Sequence, residues 1–188
     1  MLSFIEIYET YSKLVYNLCL HYLQNRQDAE EATQDIFVKI HQKIEQFKGA
    51  SSLKTWIYRV SINHCLDVIK ARSRRRSMGF ITQFFTSDAS VPVATFDHPG
   101  VLLEDKEALE RLFQIIHTLP EQQKTAIVLR YLEDLPPPEV AEVMGVSTKA
   151  VESLLQRGKQ HLQKKLDNNE GKSGKTSSNT VINVILMI

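Results

Sequence analysis

Between Leu53 and Arg76 the chain reads LKTWIYRVSINHCLDVIKARSRRR, crowding Trp56, Tyr58, Arg59, Asn63, Lys70, Arg72, Arg74, Arg75 and Arg76 into one stretch. Aromatic rings stack on unpaired bases, an asparagine amide offers a donor and an acceptor to a base edge, and cations follow phosphates. This mixture suits a single-stranded nucleic acid. The run Lys70–Arg76 contains no acid, and like charges in a row repel one another unless something negative lies nearby. The plain alternative is that Trp56 and Ile57 belong to a core and that the arginines are a solvated helix end.

The elements that must position these groups are helices. Leu53, Trp56, Ile57, Val60, Cys65, Leu66 and Ile69 recur at helical steps, with Ser51 or Ser52 available as a cap, and Asn63, Asp67 and Lys70 share a stripe. Upstream, residues 2–24 read as a helix with Phe4, Ile7, Tyr8, Tyr11, Leu14, Val15, Leu18 and Tyr22 on its apolar face. A second helix is expected to open at Asp28, with Glu31 three residues on in a capping-box-like arrangement. Its buried face is Ala29, Ala32, Ile36, Phe37, Ile40, Ile44 and Phe47, and its polar face holds Glu30, Glu31, Gln34, Asp35 and Lys39. Such a face is most often merely solvated. The turn Phe47–Ser52, with Gly49 and two serines, leads into the third helix.

At 188 residues with a net charge of +1, the chain has the composition of an ordinary soluble protein. The small total hides an asymmetry. Acids outnumber bases over residues 104–144, whereas 147–166 carries Lys149, Arg157, Lys159, Lys164 and Lys165 against Glu152 alone. Basic surface is thus concentrated at two places. Cys19 and Cys65 lie among apolar residues and read as buried reduced thiols rather than a disulfide framework. The histidines form no metal-binding motif with the two scattered cysteines, so neither metal nor cofactor is expected. The N-terminus lacks a secretory signal pattern, which places the protein in the cytoplasm.

Regular periodicity dissolves from Ser77 to Leu103, a stretch that reads as a flexible linker. Beyond it, Leu109, Leu112, Phe113, Ile116 and Leu119 form a helical stripe that Pro120 ends, and Glu121–Leu132 reads as another helix. After the prolines at 136–138, Val140–Met144 makes a short helix, Gly145 a bend, and Ser147 the cap of a last helix buried by Val151, Leu154, Leu155 and Leu162. The spacing of Ala141, Gly145 and Val151 is that of a helix-turn-helix. Ser147, Thr148, Lys149, Ala150, Ser153, Gln156, Arg157 and Lys159 supply short polar and cationic groups suited to a major groove and its flanking phosphates. An αα-hairpin without a DNA role is the plain alternative. The fold class expected is therefore all-α, with two small helical domains (1–76 and 104–166) joined by a flexible linker (77–103), the C-terminal one a helix-turn-helix. A polar tail follows from 167, and its apolar end, Val181–Ile188, is too short to span a bilayer.

Three blocks, DAEEATQDIFVKIHQKIEQF, LKTWIYRVSINHCLDVIKARSRRR and LPEQQKTAIVLRYLEDLPPPEVAEVMGVSTKAVESLLQRGKQHL, together resemble the extracytoplasmic-function sigma factors of bacterial RNA polymerase. The resemblance implies roles. Asp28, Glu31, Gln34, Asp35 and Lys39 would dock on the clamp coiled coil of the β′ subunit. Phe47, Ser51 and Ser52 would belong to a pocket for a base flipped out of the minus-ten promoter element. Asn63 would read a neighbouring position, with Arg59, Asp67 and Lys70 close by and Arg72 and Arg74 on the strand's phosphates. The helix from Ser147 would enter the minus-thirty-five element, and the linker would thread the polymerase. The implied partners are core RNA polymerase (β and β′ subunits), promoter DNA and an anti-sigma factor, often membrane-bound.

The expected mechanism contains no covalent step. Extruding a base costs a few kcal/mol of unstacking, so a pocket that captures it selectively favours strand opening and sequence choice together. No convergent acids, histidine partner or nucleotide-binding loop suggests an enzyme. The rival reading is a stand-alone helix-turn-helix regulator whose N-terminal helices sense a ligand or dimerise. It would bind intact duplex unaided at two-fold symmetric half-sites. An adaptor without DNA contact is a third.

Overall fold

The computed structural model describes residues 3–82 and 113–170, with side chains over 3–75 and 113–165. The chain divides into two compact units. Every described regular element is helical.

In the first unit, α1 (Phe4–Leu23) begins in a capping box, the Ser3 hydroxyl accepting from the Glu6 N–H while Glu6 accepts from the Ser3 N–H. It ends at Gln24, whose left-handed backbone (φ 53°) reverses the chain. Helix α2 (Arg26–Lys43) starts two residues before the expected Asp28, because Asn25 is extended and its side chain caps the Asp28 N–H at 3.0 Å. A 3-10 turn (Ile44–Gln46) and the loop through Gly49 (φ 72°) lead to α3 (Leu53–Thr82). Of the two candidate serines, Ser52 caps α3, accepting from the Thr55 N–H at 3.0 Å. The helix runs past the expected end at Arg76 to Thr82. Ser77–Thr82 contains no proline, and its one glycine costs a helix only about 1 kcal/mol. The rest of the linker region lies outside the described residues.

The three helices close around Ile7, Val15, Leu18, Cys19 and Tyr22 of α1, Ala29, Ala32, Ile36 and Ile40 of α2, and Ile57, Ile62 and Cys65 of α3, all buried. Burial of each large side chain contributes about 1.5–3 kcal/mol. Tyr8, expected on the buried face, is 49% exposed and reaches only the edge of Phe37 (ring centroids 4.7 Å apart). Ile44 and Phe47 are half-buried.

In the second unit, α4 is described over 113–117. Helix α5 (Glu121–Ile127) follows Pro120 and passes into a π-helical turn (Val128–Leu132) where a regular helical end was expected. The Glu133 N–H reaches back to the Val128 carbonyl at 3.0 Å, and that of Leu135 to Leu129 at 2.9 Å. The widened turn and the left-handed Asp134 (φ 51°) fold Leu135 back into the core ahead of the prolines. Helix α6 (Pro137–Met144) opens on Pro137 and Pro138, where a missing N–H costs nothing, and closes on Gly145 (φ 67°). Helix α7 (Thr148–Glu170) is capped by Ser147, which accepts from the Ala150 N–H at 3.2 Å. Helices α6 and α7 bury Val140, Ala141, Val143, Val151, Leu154, Leu155 and Leu162.

At Gly158 helix α7 passes close over α5. A Cβ there would stand 2.7 Å from Ile127 Cδ1, so α7 lies on α5 with no room for a side chain. The segments 104–112 and 171–188 lie outside the described residues, as do the stripe positions Leu109 and Leu112.

Candidate nucleic-acid interface

On α3, Trp56, Arg59, Asn63, Asp67, Lys70 and Arg74 fall on one stripe. Asn63, Asp67, Lys70 and Arg74 are exposed, and Trp56 and Arg59 are half-buried. Asn63 makes no side-chain hydrogen bond among the described residues, so its amide remains available to a base edge. At the head of the stripe, Phe47 packs on Trp56 with centroids 5.5 Å apart and rings tilted 44°. Ser51 and Ser52 lie between these two rings in sequence, and the Ser52 carbonyl accepts from the Trp56 N–H at 3.0 Å. Ser52 is committed to capping, with its Oγ also 2.9 Å from Thr55 Oγ1, while the Ser51 hydroxyl points at the Ser52 carbonyl at 3.3 Å. Trp56 is therefore neither plain core nor a free stacking platform. It is a half-buried ring that holds the loop.

The cationic run divides. Asn63 and Arg72 are separated by roughly two and a half helical turns, which places them on opposite faces. Arg72 turns to α2, where its guanidinium meets Asp28 Oδ1 at 2.5 Å, both side chains being largely covered. Arg74 and Arg75 are exposed. The side chain of Arg76 lies outside the description.

Expected residues of α2 divide in the same way. Glu31, Gln34 and Asp35 are exposed, whereas Asp28 and Lys39 are half-buried and turned to α3. Lys39 Nζ lies 2.6 Å from His64 Nδ1. An ammonium can only donate, so Nδ1 is the acceptor and Nε2 carries the imidazole proton. That Nε2 faces Asp35 Oδ2 at 3.6 Å, beyond hydrogen-bond reach. Burial, followed by the neighbouring Lys39 charge, holds the His64 pKa below the ordinary histidine value, against the opposing pull of Asp35 and Asp67. Asp28, Glu31, Asp35, His64, Arg72 and Arg75 line a groove of about 210 Å³ between α2 and α3. Residues assigned to polymerase and to DNA by the resemblance thus meet in one network.

Sequence reading passed over Val38. It is 55% exposed, one turn beyond Gln34 and Asp35, and sits amid the polar face. Its signal was available: one β-branched apolar residue on an otherwise polar helical stripe.

On α7, Ser147, Thr148, Lys149, Ser153, Gln156 and Arg157 are exposed and Ala150 is half-buried. Lys149, Ser153 and Gln156 point opposite the buried row of Val151, Leu154, Leu155 and Gly158. The Arg157 Nε–H donates to the Ser153 carbonyl at 3.2 Å, fixing the root of its guanidinium. Lys159 lies at the flank, half-buried, with its ammonium 5.0 Å from the Tyr131 ring centre, a cation–π contact that draws it toward the π turn. The spacing read as a helix-turn-helix thus corresponds to two packed helices around Gly145, with one polar, cationic face outward.

No group of His, Cys, Asp and Glu able to hold a metal ion occurs among the described residues. No described helix is long and apolar enough to cross a membrane.

Residues 7–75 match the family described as Sigma-70 region 2, and residues 109–162 match Sigma-70, region 4. The sigma-E factor of Haemophilus influenzae is 31% identical over 158 residues, covering 83% of each chain. The sigma factor SigW of Bacillus subtilis is 27% identical over 168 residues, covering 87% of this chain and 89% of its own. Among solved structures, RpoE of Bartonella quintana, in complex with the anti-sigma factor NepR, has a TM-score of 0.64 at 21% identity, covering 87% of this chain and 96% of that one. CnrH in complex with the cytosolic domain of CnrY gives 0.63 at 19%, covering 90% and 89%. The helical architecture, the two region matches in order and the extent of the likeness to sigma-E agree: the chain belongs to the extracytoplasmic-function sigma factors, non-enzymatic RNA polymerase subunits that direct transcription initiation.

Proposed function

We propose that the chain divides promoter recognition among three surfaces, with residues 1–76 and 104–166 as its working domains, 77–103 as the connection and 167–188 as a tail. The outer face of α2 docks on core polymerase through Glu31, Gln34 and Asp35, with Asp28 and Lys39 bracing it from the α3 side. Phe47, Ser51 and Ser52 border the site that receives an extruded minus-ten base. Asn63 reads the adjacent position, while Arg59, Asp67, Lys70 and Arg74 surround the strand. Ser147, Thr148, Lys149, Ala150, Ser153, Gln156 and Arg157 meet the minus-thirty-five duplex, with Lys159 at the flanking phosphates.

The observation that carries this reading is the α3 stripe, where an exposed, uncommitted Asn63 lies in line with cations on the helix face away from the core. A core-facing amide, or one held by a neighbour, would have spoken against it. A role with core polymerase supports a cytoplasmic reading, and fold relatives bound to NepR and CnrY support an anti-sigma partner for it.

The test is core binding. Gln34→Ala with Asp35→Ala should weaken affinity for core enzyme with little change in thermal stability, since both side chains are exposed. Unaltered affinity would remove α2 from the polymerase site. Tight, symmetric duplex binding by the free protein would favour the stand-alone regulator instead.

A further inference from the structure

The chain has two cysteines, Cys19 in α1 and Cys65 in α3. They stand 46 positions apart in sequence, yet their sulfurs touch in the core at 3.7 Å, and neither residue is exposed. Polymerase docking and promoter reading make no use of them. We propose that Cys19 and Cys65 form an oxidation site, a dithiol that a hydroperoxide converts to an intramolecular disulfide tying α1 to α3.

The chemistry balances in two steps. One cysteine, as thiolate, attacks a peroxide oxygen. The O–O bond breaks, a sulfenic acid forms, and the other oxygen leaves as water, or as an alcohol from an alkyl hydroperoxide. The second thiol then attacks the sulfenic sulfur, the S–S bond forms, and the hydroxyl departs as water with the thiol's proton. The two thiols lose two electrons and two protons, and the peroxide gains them.

Geometry favours this product over further oxidation. The resolving sulfur is already in van der Waals contact, so a sulfenic acid on either residue meets its neighbour before a second peroxide. Reaching the bonded distance of about 2.05 Å requires a closure of less than about 2 Å, shared between two side chains. Burial governs the rate, because peroxide enters only when α1 and α3 part transiently. The site therefore answers sustained exposure rather than a brief pulse, and thiol reductants reverse it. Cys65 lies two residues beyond Asn63, so the bridge would pin the turn of α3 that presents Asn63 and Asp67.

The experiment uses the full chain treated with hydrogen peroxide. Intact mass without reductant, thiol labelling in denaturant and thermal melting are followed together. The expected product is a monomer lighter by two hydrogens, unlabelled at both cysteines. It should melt about 10 °C higher, because the bridge constrains the unfolded chain, and revert with dithiothreitol. Cys19→Ala and Cys65→Ala should each abolish the bridged monomer and the melting gain. Peptide mapping of the oxidised natural chain reads the Cys19–Cys65 link directly, whatever the stability of the variants. Thiols that stay labelled after prolonged peroxide, sulfinic acid as the main product, intermolecular dimers, or a bridged monomer that melts lower would each overturn the proposal.

Discussion

Arg72 provides a sharp test of how the cationic run is used. Its guanidinium is bound to Asp28 at 2.5 Å, with side-chain exposures of 34% and 26%, whereas Arg74 is exposed and has no ion-pair partner among the described residues. Each phosphate contact contributes about 0.7 to the slope of log affinity against log salt for a single strand. Arg74→Ala should therefore flatten the slope for promoter binding by the holoenzyme by roughly that amount, while Arg72→Ala should leave it nearly unchanged.

The same pair predicts a stability coupling. Fully exposed pairs give at most about 1 kcal/mol, and partial burial strengthens the attraction by excluding water, so a coupling of about 1–2 kcal/mol is expected. A double-mutant cycle of Asp28→Ala and Arg72→Ala in urea denaturation measures it. Equal losses of salt slope for Arg72→Ala and Arg74→Ala, together with a coupling near zero, would refute the division of the arginine run by helix face.

Three further outcomes follow from the geometry. Asn63→Ala should relax discrimination at one minus-ten position by about 1–3 kcal/mol while sparing others, as measured by competition among promoter variants. Gly158→Ala should destabilise the second unit: crowding of Ile127 costs about 1–3 kcal/mol against a helix-propensity gain of about 1, and Ile127→Val in the same chain should restore much of the loss in a thermal melt. His64 is held neutral in the fold, so its contribution to stability is complete above the unfolded histidine pKa of about 6.5 and is lost as pH falls toward the lower folded value. Denaturation midpoints measured between pH 7 and 5 should fall less steeply in His64→Gln than in the natural chain.

Much was legible in the chain itself, for reasons of period and punctuation. Apolar residues at helical steps identified α1, α2 and α3, and Gly145 between Ala141 and Val151 located the turn between α6 and α7. The order of three blocks carried the family likeness. Helix starts were less legible, because several residues near a terminus can cap. Asp28 and Asn25 both qualify by type, and the backbone reversal at Gln24 selects Asn25. The π turn after Ile127 carries no compositional mark. It depends on how Leu135 returns to the core, a contact between parts of the chain that no local pattern encodes. The role of a charge is the extreme case. Arg72 and Arg74 look equivalent in sequence, but a charge acts through whatever faces it. Only the packing of α2 on α3 put a carboxylate against Arg72, left Arg74 outward and set Lys39 against His64, and only that of α1 on α3 brought Cys19 to Cys65.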